Sequence, residues 1–175
     1  MEAYSLLQAS IVLLFSCCMM MAMASDMMSM TISNRIPVIL IVVFLGAAFA
    51  SDLSWPIYGW HVAAGVGTLA VTFALFFFRA MGGGDAKLIA ATALWMGPGL
   101  PLAQYLVWSA VLGGVLTLVL LALRYSPLAA PASATRLFRH LADRKAGIPY
   151  GIALGAAGLL AFPSSPLGEW ALANM

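Results

Sequence analysis

Polar residues divide this chain into six apolar runs. The first extends from Tyr4 to Ala24, and the polar stretch Ser25 to Arg35 follows it. The second, Ile36 to Ala50, ends at Ser51-Asp52-Leu53-Ser54-Trp55-Pro56, where proline lacks the amide that a helix interior needs. The third covers about Ile57 to Phe78, closed by Arg79, and Gly82-Gly83-Gly84-Asp85 forms the next break. The fourth, Ala86 to Met96, stops at Gly97-Pro98-Gly99-Leu100-Pro101. The fifth is Leu102 to Leu123, and the sixth about Ile148 to Phe162, before Pro163 and a short tail. A membrane-crossing helix takes about 20 apolar residues. The pattern therefore predicts an all-α, polytopic membrane protein with about six transmembrane helices. The second, fourth and sixth runs are short, which tilted neighbours and a locally thinned bilayer absorb. The fourth reaches span length only if it takes in part of the glycine segment.

Composition narrows the class. Hydrophobic residues make up 63% of the 175 and charged residues only 8%, with a mean hydropathy of +1.01. A soluble domain carries about 25% charged residues, so a soluble enzyme is excluded. A net charge of +2 leaves no broad basic surface for nucleic acid. The expected organisation is one membrane-embedded domain over residues 1–175, with a cytoplasmic amphipathic segment at about 124–147. Cys17 and Cys18 are adjacent within an apolar run, which suits small packed side chains and not a metal site. The first run ends in Ala22-Met23-Ala24, like a signal-peptidase site, but Glu2 and the lack of an early Lys or Arg favour a retained helix.

Charge also orients the chain. Arg35 lies in the first loop, Arg79 and Lys87 flank the third, and Arg124, Arg136, Arg139, Arg144 and Lys145 lie in the fifth. All eight basic residues thus share one side, which the positive-inside rule makes cytoplasmic. Both termini then lie on the opposite, periplasmic side.

Ionisable residues at membrane depth are costly and point to function. Of the six acids, Glu2 and Glu169 lie in the tails, and Asp143 sits among Arg139, Arg144 and Lys145. Asp26, Asp52 and Asp85 each end an apolar run. Asp26 and Asp85 are two spans apart and share the basic side. Asp52 belongs to the opposite face, about 30 Å away. Only Asp26 and Asp85 can meet. Two carboxyls a few Å apart cannot both ionise, so one can act as a base on water while the other donates a proton, as in an aspartyl protease. Each could instead cap a helix. Gly82-Gly83-Gly84 before Asp85 allows positive φ and close approach of another chain, and an open backbone there could hold an extended segment by main-chain hydrogen bonds. A flexible turn would use the same glycines.

Gly82-Gly83-Gly84-Asp85-Ala86-Lys87-Leu88 matches the GxGD motif of membrane aspartyl proteases, in the form found in prepilin peptidases. Asp26, followed by Thr31-Ile32-Ser33-Asn34-Arg35-Ile36-Pro37, resembles that family's other aspartate motif. Ile148-Pro149-Tyr150-Gly151-Ile152-Ala153 resembles its Pro-Tyr/Phe-Gly element opening the last helix. The three elements occur in order, and the resemblance spans about Met19 to Leu160. It implies a peptidase that removes the basic leader from type IV pilin precursors at the cytoplasmic face of the bacterial inner membrane, with Asp26 and Asp85 as the catalytic pair. Larger members carry paired CxxC motifs linked to N-methylation. This chain lacks them and looks like the short, peptidase-only form found with tight-adherence (Flp) pili. Neither methyltransferase activity, a cofactor nor a metal is expected. Met27, Met28 and Met30 stand where relatives often carry Arg or Lys.

Gly82, Gly83, Gly84, Lys87 and Asn34 are candidate supporting residues. Lys87 could bias the ionisation of Asp85 or anchor at headgroups. Asn34 could orient Asp26, hold substrate backbone or cap the second helix. Thr135 to Lys145 suits a helix lying on an anionic membrane surface. His61 and His140 are isolated, the tryptophans suit interfacial belts near span ends, and the methionines from Met19 to Met30 suit adaptable packing. The expected partners are a prepilin and the lipid bilayer. Two other readings stay open: a non-catalytic assembly factor of a pilus system, and a small proton-coupled transporter.

Overall fold

The polar breaks become helix ends. The computed structural model describes residues 2–51, 53–127, 141, 143 and 146–173. Asp52 and most of the basic segment, with Arg136, Arg139, His140, Arg144 and Lys145, lie outside the described residues. The helices are α1 (Glu2–Ser29), α2 (Arg35–Ala50), α3 (Trp55–Phe77), α4 (Gly83–Met96), α5 (Leu100–Tyr125), α6 (Tyr150–Ala161) and, after a 3-10 turn at Phe162–Ser164, α7 (Pro166–Leu172). There is no strand among the described residues. The fold is all-α and that of a polytopic membrane protein.

Local chemistry explains the boundaries. Pro56, Pro101 and Pro166 sit in first turns, where a missing amide costs nothing. The α4–α5 turn uses Gly97 and Gly99 at φ +66° and +105°, a region glycine enters freely. At the end of α3, Arg79 adopts φ 60°. Its amide bonds the Phe76 carbonyl, and the Ala80 amide bonds that of Leu75, both at 2.9 Å. This is the Schellman pattern built without glycine. α1 ends similarly: Met30 has φ 54°, and its amide bonds the Asp26 carbonyl at 2.9 Å.

α1, α3 and α5 are each long and apolar enough to cross a membrane, and α6 with α7 qualifies as a fourth span bent by 68°. α2 and α4 have 16 and 14 residues, or about 24 and 21 Å at 1.5 Å per residue. The shortness of α4 has a structural reason. It is the central helix, packed by α2, α3 and α6, with Leu88, Ala91, Thr92, Ala93, Trp95 and Met96 almost wholly buried. Its neighbours, not lipid, surround most of it, and a helix buried on all sides need not match the bilayer's thickness. α3 and α5 instead turn many large apolar side chains outward, such as Val66, Val71, Val107 and Leu118. In water such a surface would drive association; in lipid it is solvated.

Small residues set the closest contacts. α6 lies antiparallel on α1, so that Gly151, Gly155 and Gly158 face Asp26, Met23 and Met19 in turn. A β-carbon at Gly155 would press on Met23 and come within 2.9 Å of the Met19 carbonyl oxygen. Close packing through small residues is how helices associate without a hydrophobic force between them. Met19, wholly buried, fills the slot at Gly158.

Two elements depart from the sequence expectations. Trp95 is no interfacial anchor. It is fully buried, its Nε1 donates to the Leu40 carbonyl at 3.1 Å, and it packs between Phe15 and Phe44. The expected tail is the helix α7, capped by Ser165 Oγ, which accepts from the Gly168 amide at 3.0 Å. Gln8 of α1 ties it down by donating to the Trp170 carbonyl at 2.8 Å.

Candidate active site

Asp26 occupies the last turns of α1, and Asp85 the first turn of α4. The two side chains line one cavity of about 540 Å³, together with Met30 to Ile32 and Asn34 of the α1–α2 loop, Gly82 to Gly84, and Gly147 and Ile148 before α6. Asp26 is buried and Asp85 half-buried.

The Asp26 carboxylate is held by an amide at a helix N-terminus. The Gly151 N–H donates to Asp26 Oδ2 at 2.6 Å. Gly151 lies in the first turn of α6, whose amides have no partner within the helix and carry the positive end of the dipole. Asp85, third residue of α4, turns Oδ2 back toward the backbone of Gly82, just ahead of that helix. For Asp26, capping and chemistry are thus compatible, because the helix terminus that it caps also orients it.

The glycines work by close approach, not by positive φ. Gly82 has φ −70°, and none of Gly82, Gly83 and Gly84 is in the left-handed region. A β-carbon on Gly84 would stand 3.2 Å from that of Ile32 and 3.4 Å from its amide nitrogen. One on Gly83 would stand 3.1 Å from the Phe76 ring, and one on Gly82 2.9 Å from Asp85 Oδ2. The segment lets α4 begin directly against the α1–α2 loop, which brings Asp85 toward Asp26.

Lys87 Nζ donates to Asn34 Oδ1 at 3.0 Å. Asn34 sits at the N-cap position of α2, but its side chain makes no capping bond. The pair instead ties the second turn of α4 to the start of α2 at the rim of the cavity. Two residues escaped the sequence reading. Gly151 stood within a recognised element but with no role assigned. Arg124 had counted only as a loop charge. It is buried in the last turn of α5, with Nε donating to the Leu141 carbonyl at 2.9 Å and Nη2 to that of Gly147 at 2.7 Å. It therefore pins the segment that closes the cavity beside Ile148. Its place directly at the end of the apolar run Leu102 to Leu123 was the available signal.

The helical membrane scaffold and its paired carboxylates define a class of membrane-embedded proteins with a polar site at one end. A family model for the type IV leader peptidase family matches residues 13–125, and the chain belongs to that family. The matched stretch contains both Asp26 and Asp85. Its members are prepilin peptidases, so the chain is a protease whose substrates are prepilins. No curated protein and no solved structure matches the chain.

Proposed function

We propose that the chain is an aspartic endopeptidase that removes the leader of type IVb, Flp-type prepilins at the cytoplasmic face of the inner membrane. The observation that carries this reading is the presence of Asp26 and Asp85 in one cavity, although they are 59 positions apart in sequence. With one carboxyl protonated and the other ionised, the ionised group takes a proton from water, and the resulting hydroxide attacks the scissile carbonyl. The protonated group hydrogen-bonds the carbonyl oxygen as negative charge builds there. Collapse of the tetrahedral adduct breaks the C–N bond, and a proton passes to the leaving amine. Asp26 is oriented by the Gly151 amide, so it presents fixed geometry to the water. The whole chain acts as a single membrane-embedded peptidase domain. Its site faces the cytoplasm because the basic loops do.

Co-expression with a small Flp-type prepilin, followed by mass measurement of the product, tests this. The wild-type chain is expected to shorten the precursor by its leader. Asp26→Asn and Asp85→Asn are each expected to leave it intact, and Asp52→Asn to process it normally. Normal cleavage by either of the first two variants would falsify the dyad. An intact precursor with the wild-type chain would favour a non-catalytic assembly role.

A further inference from the structure

A second cavity adjoins the first. α2 and α3 both pack on α4 and meet each other where Phe44 stacks on Tyr58 and His61; nearer the site they leave a groove of about 350 Å³ between them. Ile41 forms one wall, Val66 and Leu69 the other, and Ala91 part of the floor. The walls face outward, with Val66 61% exposed and Leu69 43%. The lining is apolar except at one end, where Asn34 and Lys87 stand. Asn34 also lines the aspartate cavity. The polar end of the groove therefore adjoins the candidate active site, and the groove runs from there along α2 and α4.

We propose that this groove docks an apolar helical segment of the precursor on the far side of the scissile bond, while the basic leader stays on the polar side of the cavity. The proposal rests on the leader-peptidase reading and adds where the substrate lies. Three features support it. Asn34 lines both the groove and the aspartate cavity, so a chain leaving the site reaches the groove past a single shared residue. Its floor carries small side chains, which let a second helix approach closely in lipid. Lys87 at the mouth repels a positively charged leader, so of the two sides of the cut only the apolar one is admitted. A helix seated there would point its scissile end at Asp26 and Asp85, and that end must unwind at the polar rim.

Cysteine cross-linking and steric filling test the idea in membranes. In the Asp85→Asn chain with Cys17 and Cys18 replaced by alanine, Leu69→Cys and Val66→Cys are expected to cross-link to single cysteines in the first two turns of the precursor beyond the cut. Val71→Cys, on another face of α3, is expected not to. In the otherwise wild-type chain, Val66→Trp and Leu69→Trp are expected to slow cleavage at least about tenfold, as filling a packed contact does, with Val71→Trp unchanged. Equal thermal melting of all three keeps the comparison free of folding effects, and a groove variant that melts early is replaced by Leu69→Phe. Wild-type rates in the filled variants, or cross-links as strong from Val71→Cys as from Leu69→Cys, would show a groove holding only lipid chains and overturn the docking proposal while leaving the peptidase reading intact. A wild-type chain that leaves the precursor uncut overturns both.

Discussion

A β-carbon on Gly151 would stand 2.8 Å from Asp26 Oδ2, 2.9 Å from Asp26 Cβ and 2.8 Å from Ile32 Cδ1. The first two contacts are with the residue that Gly151 itself positions, so Gly151→Ala cannot keep its amide on Asp26 without moving one of them. A displacement of 1 Å at a reacting group can lower a rate by roughly 100-fold, and a loss of that order is expected for Gly151→Ala in the prepilin cleavage assay. Since α6 keeps its remaining contacts, the protein should still fold, and its melting temperature should fall far less than its activity. Activity close to wild type would mean that the Gly151–Asp26 bond does not set the geometry of the proposed dyad. Asp26 and Asp85 were legible as a pair because charge placement and the glycine motif act locally in sequence. The bond to Gly151 was not, because its partners lie 125 positions apart and only the packing of α6 on α1 joins them.

That packing belongs to the helix, not to any one residue. Gly155 and Gly158 continue the contact face of Gly151 on α6, but they tolerate change differently. A β-carbon at Gly155 meets the Met19 carbonyl oxygen at 2.9 Å, a backbone atom that cannot swing away. One at Gly158 meets the Met19 Sδ at 2.8 Å, and a thioether can take another rotamer. Gly155→Leu is therefore expected to cost about 1–3 kcal/mol by overpacking and to lift α6 from α1, reducing activity with it. Gly158→Ala is expected to change both only slightly. Thermal melting in detergent and the cleavage assay, run on the same preparations, check this; equal effects at the two positions would remove the distinction. The same scale shows what the sequence concealed. Apolar runs located α1, α3 and α5 well, because lipid-facing helices need unbroken length. α4 looked least secure for the same reason that it is central: protein, not lipid, covers it. α7 carried readable signals in Ser165, Pro166 and Glu169, a cap, a first-turn proline and a first-turn acid, yet its shortness hid it behind the proline break. Trp95 could not be told from a belt tryptophan, since only the depth of α4 within the bundle separates the two.

For the whole molecule, the site's end and the basic end coincide. Among the described residues, Arg35 follows the α1–α2 loop, Arg79 precedes the glycines, Lys87 holds Asn34, and Arg124 holds Gly147. Arg35 adjoins Asn34 in sequence, Lys87 and Arg124 bond Asn34 and Gly147, and those two residues line the aspartate cavity. At the opposite end lie the α2–α3 turn with Ser54 and the α4–α5 turn with Gly99. The charge pattern and the site are independent features of the chain, so their coincidence gives the proposed cytoplasmic orientation a test that does not depend on catalysis. In a chain with Cys17 and Cys18 replaced by alanine, Ser33→Cys and Ala80→Cys should escape a membrane-impermeant maleimide added to spheroplasts and react once the membrane is opened. Ser54→Cys should react in intact spheroplasts. Ser33, Ala80 and Ser54 are all exposed, so labelling reports side and not burial. The reverse pattern would put the cavity on the periplasmic face. A precursor cut there would first have to carry its basic leader across the membrane, against both the hydrocarbon barrier and the transmembrane potential.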